Sequence, residues 1–170
     1  GNQISNVTIP DSVTSVGINA FRSNAISTLN LGNSVTSIES WTIANNLLKN
    51  VTIPDSVTSI GVAAFADNAI SSLTLGNSVT TIAPWAFNGN EIISLTIPNS
   101  VTSIGAAAFR NNTISTLTLG NSVTTIGDHA FISNLISGHL IIPDSVISIG
   151  DHVFRINAIT SLTLGNRVTT

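Results

Sequence analysis

The chain repeats itself. The phrase VTIPDSVTSVGINAFRSNAIST, starting at Val7, begins again at Leu29, Val51, Leu73, Leu95 and Leu117, a fixed step of 22 residues. Leu140 and Leu162 follow, so one step is 23, and the extra residue lies in Ser137-Gly138-His139. A period of this size marks a stacked-repeat protein, because one such unit cannot bury its apolar face alone and neighbours must complete the core. Seven complete repeats and one truncated repeat fill the chain from Val7 to Thr170, so residues 1–170 read as a single array without a linker. With no initiator Met and no cap at Gly1 or Thr170, the chain reads as an excised piece of a longer array. Its open ends are expected either to continue in a longer native chain or to pair end to end or edge to edge between copies.

A second period lies over the first. The fourth place of the repeat alternates Pro10, Gly32, Pro54, Gly76, Pro98, Gly120, Pro143 and Gly165, and the third alternates Ile and Leu in step with it. Read from the sequence, this 44-residue superperiod is the trace of a duplicated pair of repeats and carries no chemistry.

Within each repeat the apolar places predict the local structure. In Ile26-Ser-Thr-Leu29-Asn-Leu31 the two leucines are two apart with polar neighbours, the period of a half-buried strand, and Pro or Gly then stops it. A second short extended segment follows, as in Val57-Thr-Ser-Ile60, and then a small-residue turn ending in Phe21, Phe65, Phe87, Phe109, Phe131 or Phe154. Stacked, these rings should form an aromatic spine. In the second repeat Ile43 stands in the spine, and Trp41 is expected to fill the lost volume. Each complete repeat carries one Asn at the same polar turn, Asn24, Asn46, Asn68, Asn90, Asn112, Asn134 and Asn157. An amide with two donors and an acceptor can bridge its own turn to the next, so these residues are expected to form a structural ladder.

The phrases IPDSVTSIG and AF, followed by a polar turn residue and then I-x-x-L-T-L, resemble the BspA-like leucine-rich repeats of bacterial surface proteins. The match covers essentially the whole chain. It departs from that pattern in having Asn where those repeats usually have Cys, and in being one residue shorter at that turn. The resemblance implies a mainly β, right-handed leucine-rich-repeat solenoid of about seven and a half repeats. It further implies one parallel sheet from the I-x-x-L-T-L strands, a second short extended segment per repeat, and a role in adhesion or ligand binding at a cell surface.

Composition removes several function classes. Charged residues are 8 % of the chain, against roughly a quarter in ordinary soluble domains, while Ser, Thr and Asn supply 64 of 170 positions. A formal net charge of −3 gives no basic patch to replace counterions on a phosphate backbone, so nucleic acid is not an expected partner. No apolar run approaches the ~20 residues that cross a bilayer, so membrane insertion is not expected. The absence of Cys removes disulfides and thiolate metal sites while saying nothing against export.

Catalytic constellations are thin, and no cofactor is expected. Asp128-His129 and Asp151-His152 occupy equivalent places one rung apart, which puts the imidazoles about 5 Å from each other. That place elsewhere holds Asn19, Trp41, Ala63, Trp85 and Ala107, and no third rung completes a shell, so no functional metal site is expected. His139 has no evident partner. The carboxylates Asp11, Asp55 and Asp144 share a place in non-adjacent repeats, which does not suit general acid–base work. Trp85, sharing a place with Trp41 two repeats away, is a candidate carbohydrate contact.

The outstanding surface feature is the polar face of the strands. Thr8, Asn30, Thr52, Thr74, Thr96, Thr118 and Thr163 form one rank, and Thr28, Ser72, Ser94, Thr116 and Ser161, with Asn6 and Asn50, form a second. A further ribbon of hydroxyls runs along the Val-Thr-Ser-Ile segments, Thr14 with Ser15 through Thr124 with Thr125. β-Propensity and solubility alone would favour such residues. Three functions are open: an extracellular or cell-surface binding and adhesion module for a protein or glycan, an ice-binding protein using the Thr-rich face, or a structural spacer or filament segment. Ser94/Thr96 above Thr116/Thr118 should give hydroxyls spaced by about 7 Å along and about 4.8 Å across the strands, the regular array that ordered water requires. Ile141, Asn30 and the Gly138-His139 insertion interrupt it.

Overall fold

A computed structural model describes residues 2–170; Gly1, one of the two open ends named above, lies outside them. Each repeat makes one rung. The longer strands are β1 (Asn6–Thr8), β3 (Thr28–Asn30), β5 (Asn50–Thr52), β7 (Ser72–Thr74), β9 (Ser94–Thr96), β11 (Thr116–Thr118), β13 (Ser137–Ile141) and β15 (Ala158–Thr163). Between them come the two-residue strands β2 (Ser15–Val16), β4 (Ser37–Ile38), β6 (Ser59–Ile60), β8 (Thr81–Ile82), β10 (Ser103–Ile104), β12 (Thr125–Ile126) and β14 (Ser148–Ile149). The described residues contain no helix, and none is therefore long and apolar enough to cross a membrane. All pairing is parallel and joins equivalent places of adjacent rungs, so the molecule is a β-solenoid.

The core follows the apolar places. Val57, Ile60, Ile82, Val101 and Ile104 from the short segments, Val51 and Leu95 from the longer strands, and Ile53 and Ile97 just after those strands, are buried. Phe65, Phe87, Phe109, Phe131 and Phe154 stack at centroid distances of 5.2, 5.4, 5.5 and 5.7 Å with planes within 5° of parallel. Ile43 occupies its rung of the spine fully buried and needs no help from Trp41. Trp41 has φ 59°, a left-handed backbone that turns its side chain outward over Ala44, Ala63 and Ala66. The expected packing role of Trp41 is therefore replaced by a surface one.

The sheets divide differently from expectation. The unbroken sheet, seven strands in the order β14-β12-β10-β8-β6-β4-β2, belongs to the short segments. The longer strands form four separate two-stranded sheets, β1-β3, β5-β7, β9-β11 and β13-β15, in place of one continuous sheet. Every pair consists of a Pro rung followed by a Gly rung. The superperiod read as mere history is thus a physical instruction, because Gly and Pro govern how closely successive backbones approach.

At Gly76 an added Cβ would stand 2.5 Å from the Pro54 carbonyl oxygen, and at Gly32 it would stand 2.7 Å from those of Ile9 and Pro10. Only glycine lets the second strand of a pair settle onto the first. The next rung brings Pro, which has no N–H to offer and carries Cδ on its nitrogen, so the next strand stands off. A second set of bonds follows the same pairing: the Asn33, Asn77, Asn121 and Asn166 N–H groups donate to Asp11, Asp55, Asn99 and Asp144 side chains at 2.6–2.8 Å. The three fifth-place carboxylates therefore tie a Pro rung to the Gly rung after it. Gly76→Ala is expected to destabilise the protein by about 1–3 kcal/mol in denaturant melts, since backbone must move to admit the methyl group. Gly17→Ala, where an added Cβ meets nothing within 4 Å, is expected to leave the melt nearly unchanged.

The extra residue near Ser137 is absorbed as a bulge. Gly138 takes φ 74° and the β13–β15 register shifts between Gly138 and His139.

Candidate functional site: the strand face

The strand face is built by the pleat. Inward Val and Leu alternate with outward polar residues, and parallel pairing sets like places side by side: Thr8 by Asn30, Thr52 by Thr74, Ser72 by Asn50, Ser94 by Thr116 and Thr96 by Thr118. All twelve residues picked from the sequence, Thr8, Thr28, Asn30, Thr52, Ser72, Thr74, Ser94, Thr96, Thr116, Thr118, Ser161 and Thr163, emerge exposed. The first ten make no side-chain hydrogen bond among the described residues. At the other end His139, for which the sequence suggested no partner, lies between two of them: Nδ1 is 2.8 Å from Ser161 Oγ and Nε2 3.2 Å from Thr163 Oγ1.

The second ribbon of hydroxyls is not equivalent. Thr58 Oγ1 donates to the Thr36 carbonyl at 3.2 Å, and Thr80, Thr102 and Thr124 repeat this bond to the preceding rung at 3.0, 3.2 and 3.0 Å. Those threonines are committed to holding rungs together. Sequence pattern could not separate them from the strand-face threonines, because both sets alternate with buried Val and Ile.

Three clefts open where paired strands part company. They lie between β3 and β5, between β7 and β9, and between β11 and β13, with volumes of about 640, 370 and 290 Å³. Equivalent residues line them: Asn30, Thr52 and Pro54 in the first, Thr74, Thr96 and Pro98 in the second, Thr118, Ile141 and Pro143 in the third. The backbone N–H groups of Leu29, Leu31, Asn50 and Thr52 would cross the first opening in a continuous sheet, and no ladder joins β3 to β5 there. Sequence reasoning missed these clefts; the signal was the Pro/Gly alternation.

The turn carries the other candidates. Each of Asn46, Asn68, Asn90, Asn112 and Asn134 donates through Nδ2 to a carbonyl of its own turn and to one of the rung before, and accepts through Oδ1 an N–H of that earlier rung. Asn157 does the same at the seventh repeat. Asn24 donates to Phe21, while its buried Oδ1 has no partner. Trp85 is 46 % exposed, and with Trp41, Ala63, Ala66, Asp67 and Asn88 it lines a shallow groove of about 290 Å³. The Arg22 guanidinium carbon sits 4.3 Å from the Trp41 ring centroid. The His129 and His152 rings are 5.3 Å apart and tilted by 55°, and Asp128 Oδ1 is occupied by the Asp151 N–H at 2.8 Å. Among the described residues no three His, Asp or Glu side chains are grouped to hold a metal ion.

The rung-by-rung register explains why a repeat-family description matches so fully: the BspA type leucine-rich repeat region, in six copies, covers residues 1–94 and 83–170. The chain belongs to the BspA-type leucine-rich repeat family. No curated protein sequence matches it. Among solved structures, a leucine-rich repeat protein from Bacteroides ovatus superposes with a TM-score of 0.65 at 22 % identity, over 89 % of this chain and 46 % of that one. The pneumococcal vaccine antigen PcpA gives 0.61 at 20 % identity, over 96 % and 62 %. A leucine-rich cell surface protein from Faecalibacterium prausnitzii gives 0.55 at 25 % identity, over 98 % and 62 %. This BspA-type array spans less than two thirds of each of those chains.

Proposed function

We propose that the chain is a non-enzymatic, extracellular binding and adhesion module that presents its Ser/Thr/Asn strand face to a protein or glycan. The observation that carries this reading is the contrast between two sets of hydroxyls. The hydroxyls of Thr36, Thr58, Thr80, Thr102 and Thr124 in the short segments are spent on rung-to-rung bonds, whereas the ten strand-face residues from Thr8 to Thr118 are exposed and their side chains unbonded, in ranks without an ionisable side chain before His139. A BspA-type surface repeat array fits that role, and the likeness to a cell surface protein supports the location. Trp85 offers a further sugar-stacking contact on the turn. Binding of the whole chain to arrayed glycans and extracellular proteins should be weakened more than about tenfold by Thr52→Glu with Thr96→Glu and left unchanged by Arg110→Ala. Equal binding by all three proteins would overturn the assignment of this face.

Ice binding is the second reading, favoured by the paired patch Ser94/Thr96 and Thr116/Thr118. The alternation of paired and parted strands limits such a regular patch to two strands. Thermal hysteresis by the protein, abolished by Thr96→Tyr, would put this reading first.

A further inference from the structure

We infer that the three strand-face clefts together bind one neutral, extended, β-linked polysaccharide that runs across the strands and lowers hydroxyl groups of every second sugar into successive openings. This rests on the reading of the strand face as the ligand surface and names its ligand class.

Hydrogen-bonding capacity is left free at these three places. Each cleft presents strand N–H and C=O groups that no neighbouring strand takes up. The Pro rung beside each opening also carries a buried hydroxyl without a partner, Ser56, Ser100 and Ser145, and Ser56 lines the first cleft itself. Unbonded donors and acceptors held side by side suit a group that both gives and receives, as a sugar hydroxyl does.

Width excludes the other extended polymer. Strands flanking an inserted peptide strand stand two ladder spacings apart, about 9.6 Å. Cα atoms of β3 and β5, of β7 and β9, and of β11 and β13 approach within 8 Å. The openings therefore admit a hydroxyl or a water and exclude a peptide backbone. Charge argues in the same direction: among the described residues lining the clefts only Asp55 in the first and His139 in the third are ionisable and the second has none, so a charged polymer finds no counter-charge repeated from cleft to cleft.

Spacing selects the linkage. The clefts recur every second rung, about 10 Å along the solenoid. In a 1,4-β-linked chain each sugar is turned over relative to the last, so the same edge returns at every second residue. Three weak, open sites in line gain from one ligand that spans them, because the second and third contacts are intramolecular.

The test titrates 1,4-β-linked gluco-, xylo- and manno-oligosaccharides of two to six units into the whole chain. In at least one series the hexasaccharide is expected to bind about 10²-fold tighter than the disaccharide. Amide exchange at Asn50, Thr52, Ser94 and Thr96 should be fast in the free protein and slowed by that hexasaccharide. Combined Pro54→Gly, Pro98→Gly and Pro143→Gly, which restores the missing N–H and lets the strands close, should abolish the length dependence. Should that variant fold poorly, Ser56→Ala removes the one unbonded hydroxyl that belongs to a cleft-lining residue and should weaken hexasaccharide binding. No binding in any series, affinity independent of length, or binding unaffected by the substitutions would overturn the inference. A ligand lost on Thr52→Glu with Thr96→Glu but insensitive to the proline and serine changes would sink the cleft inference alone and leave the broader reading standing.

Discussion

Phe109→Ala is expected to lower the unfolding free energy by about 3–5 kcal/mol, the range for truncating a fully buried aromatic ring. Phe109 lies between Phe87 at 5.4 Å and Phe131 at 5.5 Å and has no solvent exposure, so both faces of its ring lose partners together. The rungs above and below are pinned by backbone bonds such as Phe87 N–H to Ala108 at 2.8 Å and Phe109 N–H to Ala130 at 2.9 Å, which limits collapse into the cavity. Phe109→Ile should cost much less, under about 2 kcal/mol, because the second rung already carries Ile43 in that place, fully buried. Phe21→Ala should also cost less, since that ring is only partly buried and Ile43 separates it from the stack. Urea melts of the three variants check this order; equal losses would show that stacking has no part in the stability of the spine.

Asn90→Ala is expected to cost about 3 kcal/mol, near the top of the range for stranding a buried polar group. Asn90 Nδ2 reaches the Phe65 carbonyl at 3.0 Å and the Phe87 carbonyl at 3.1 Å, and Oδ1 accepts the Ile70 N–H at 3.1 Å. Removing the amide leaves that N–H buried and the two rungs untied at the turn. Asn24→Ala removes a side chain that donates to its own turn and whose Oδ1 holds nothing, so it should cost about 1 kcal/mol. If the two variants melt alike, the bridging of one rung to the next contributes nothing and these residues serve only their own turns.

Much of the fold was legible because repetition turns one reading into seven. The inward places, the strand and short-segment positions, the Phe stack and the place of the extra residue at Ser137-Gly138-His139 all follow from local alternation and counting, while its form as a bulge came from the structure. Trp41 was misplaced because a spine vacancy and a large ring looked complementary on paper. The left-handed backbone at that place, shared with Ala63, Trp85 and His129, keeps Trp41 out of the main core and sets it against the separate Ala44, Ala63 and Ala66 cluster.

Which residues form the outward face was written in the sequence; which of them are free was not. Thr52 and Thr58 share composition, alternation and exposure, yet Thr58 bonds the rung before it and Thr52 bonds nothing. The difference lies in where the preceding rung's carbonyl falls, a distance between backbones remote in sequence. The same holds for the clefts: Pro54 and Gly76 are visible in the chain as letters, but their effect appears only when rungs stack, when Gly76 admits the Pro54 backbone and Pro54 stands off from the rung before it. Sequence alone determined the rung, its core and its polar face, because those depend on side-chain pattern within 22 residues. Tertiary structure decided the pairing of strands, the openings between pairs and the free hydroxyls beside them, because hydrogen-bond partners between rungs are chosen by how closely two backbones can approach.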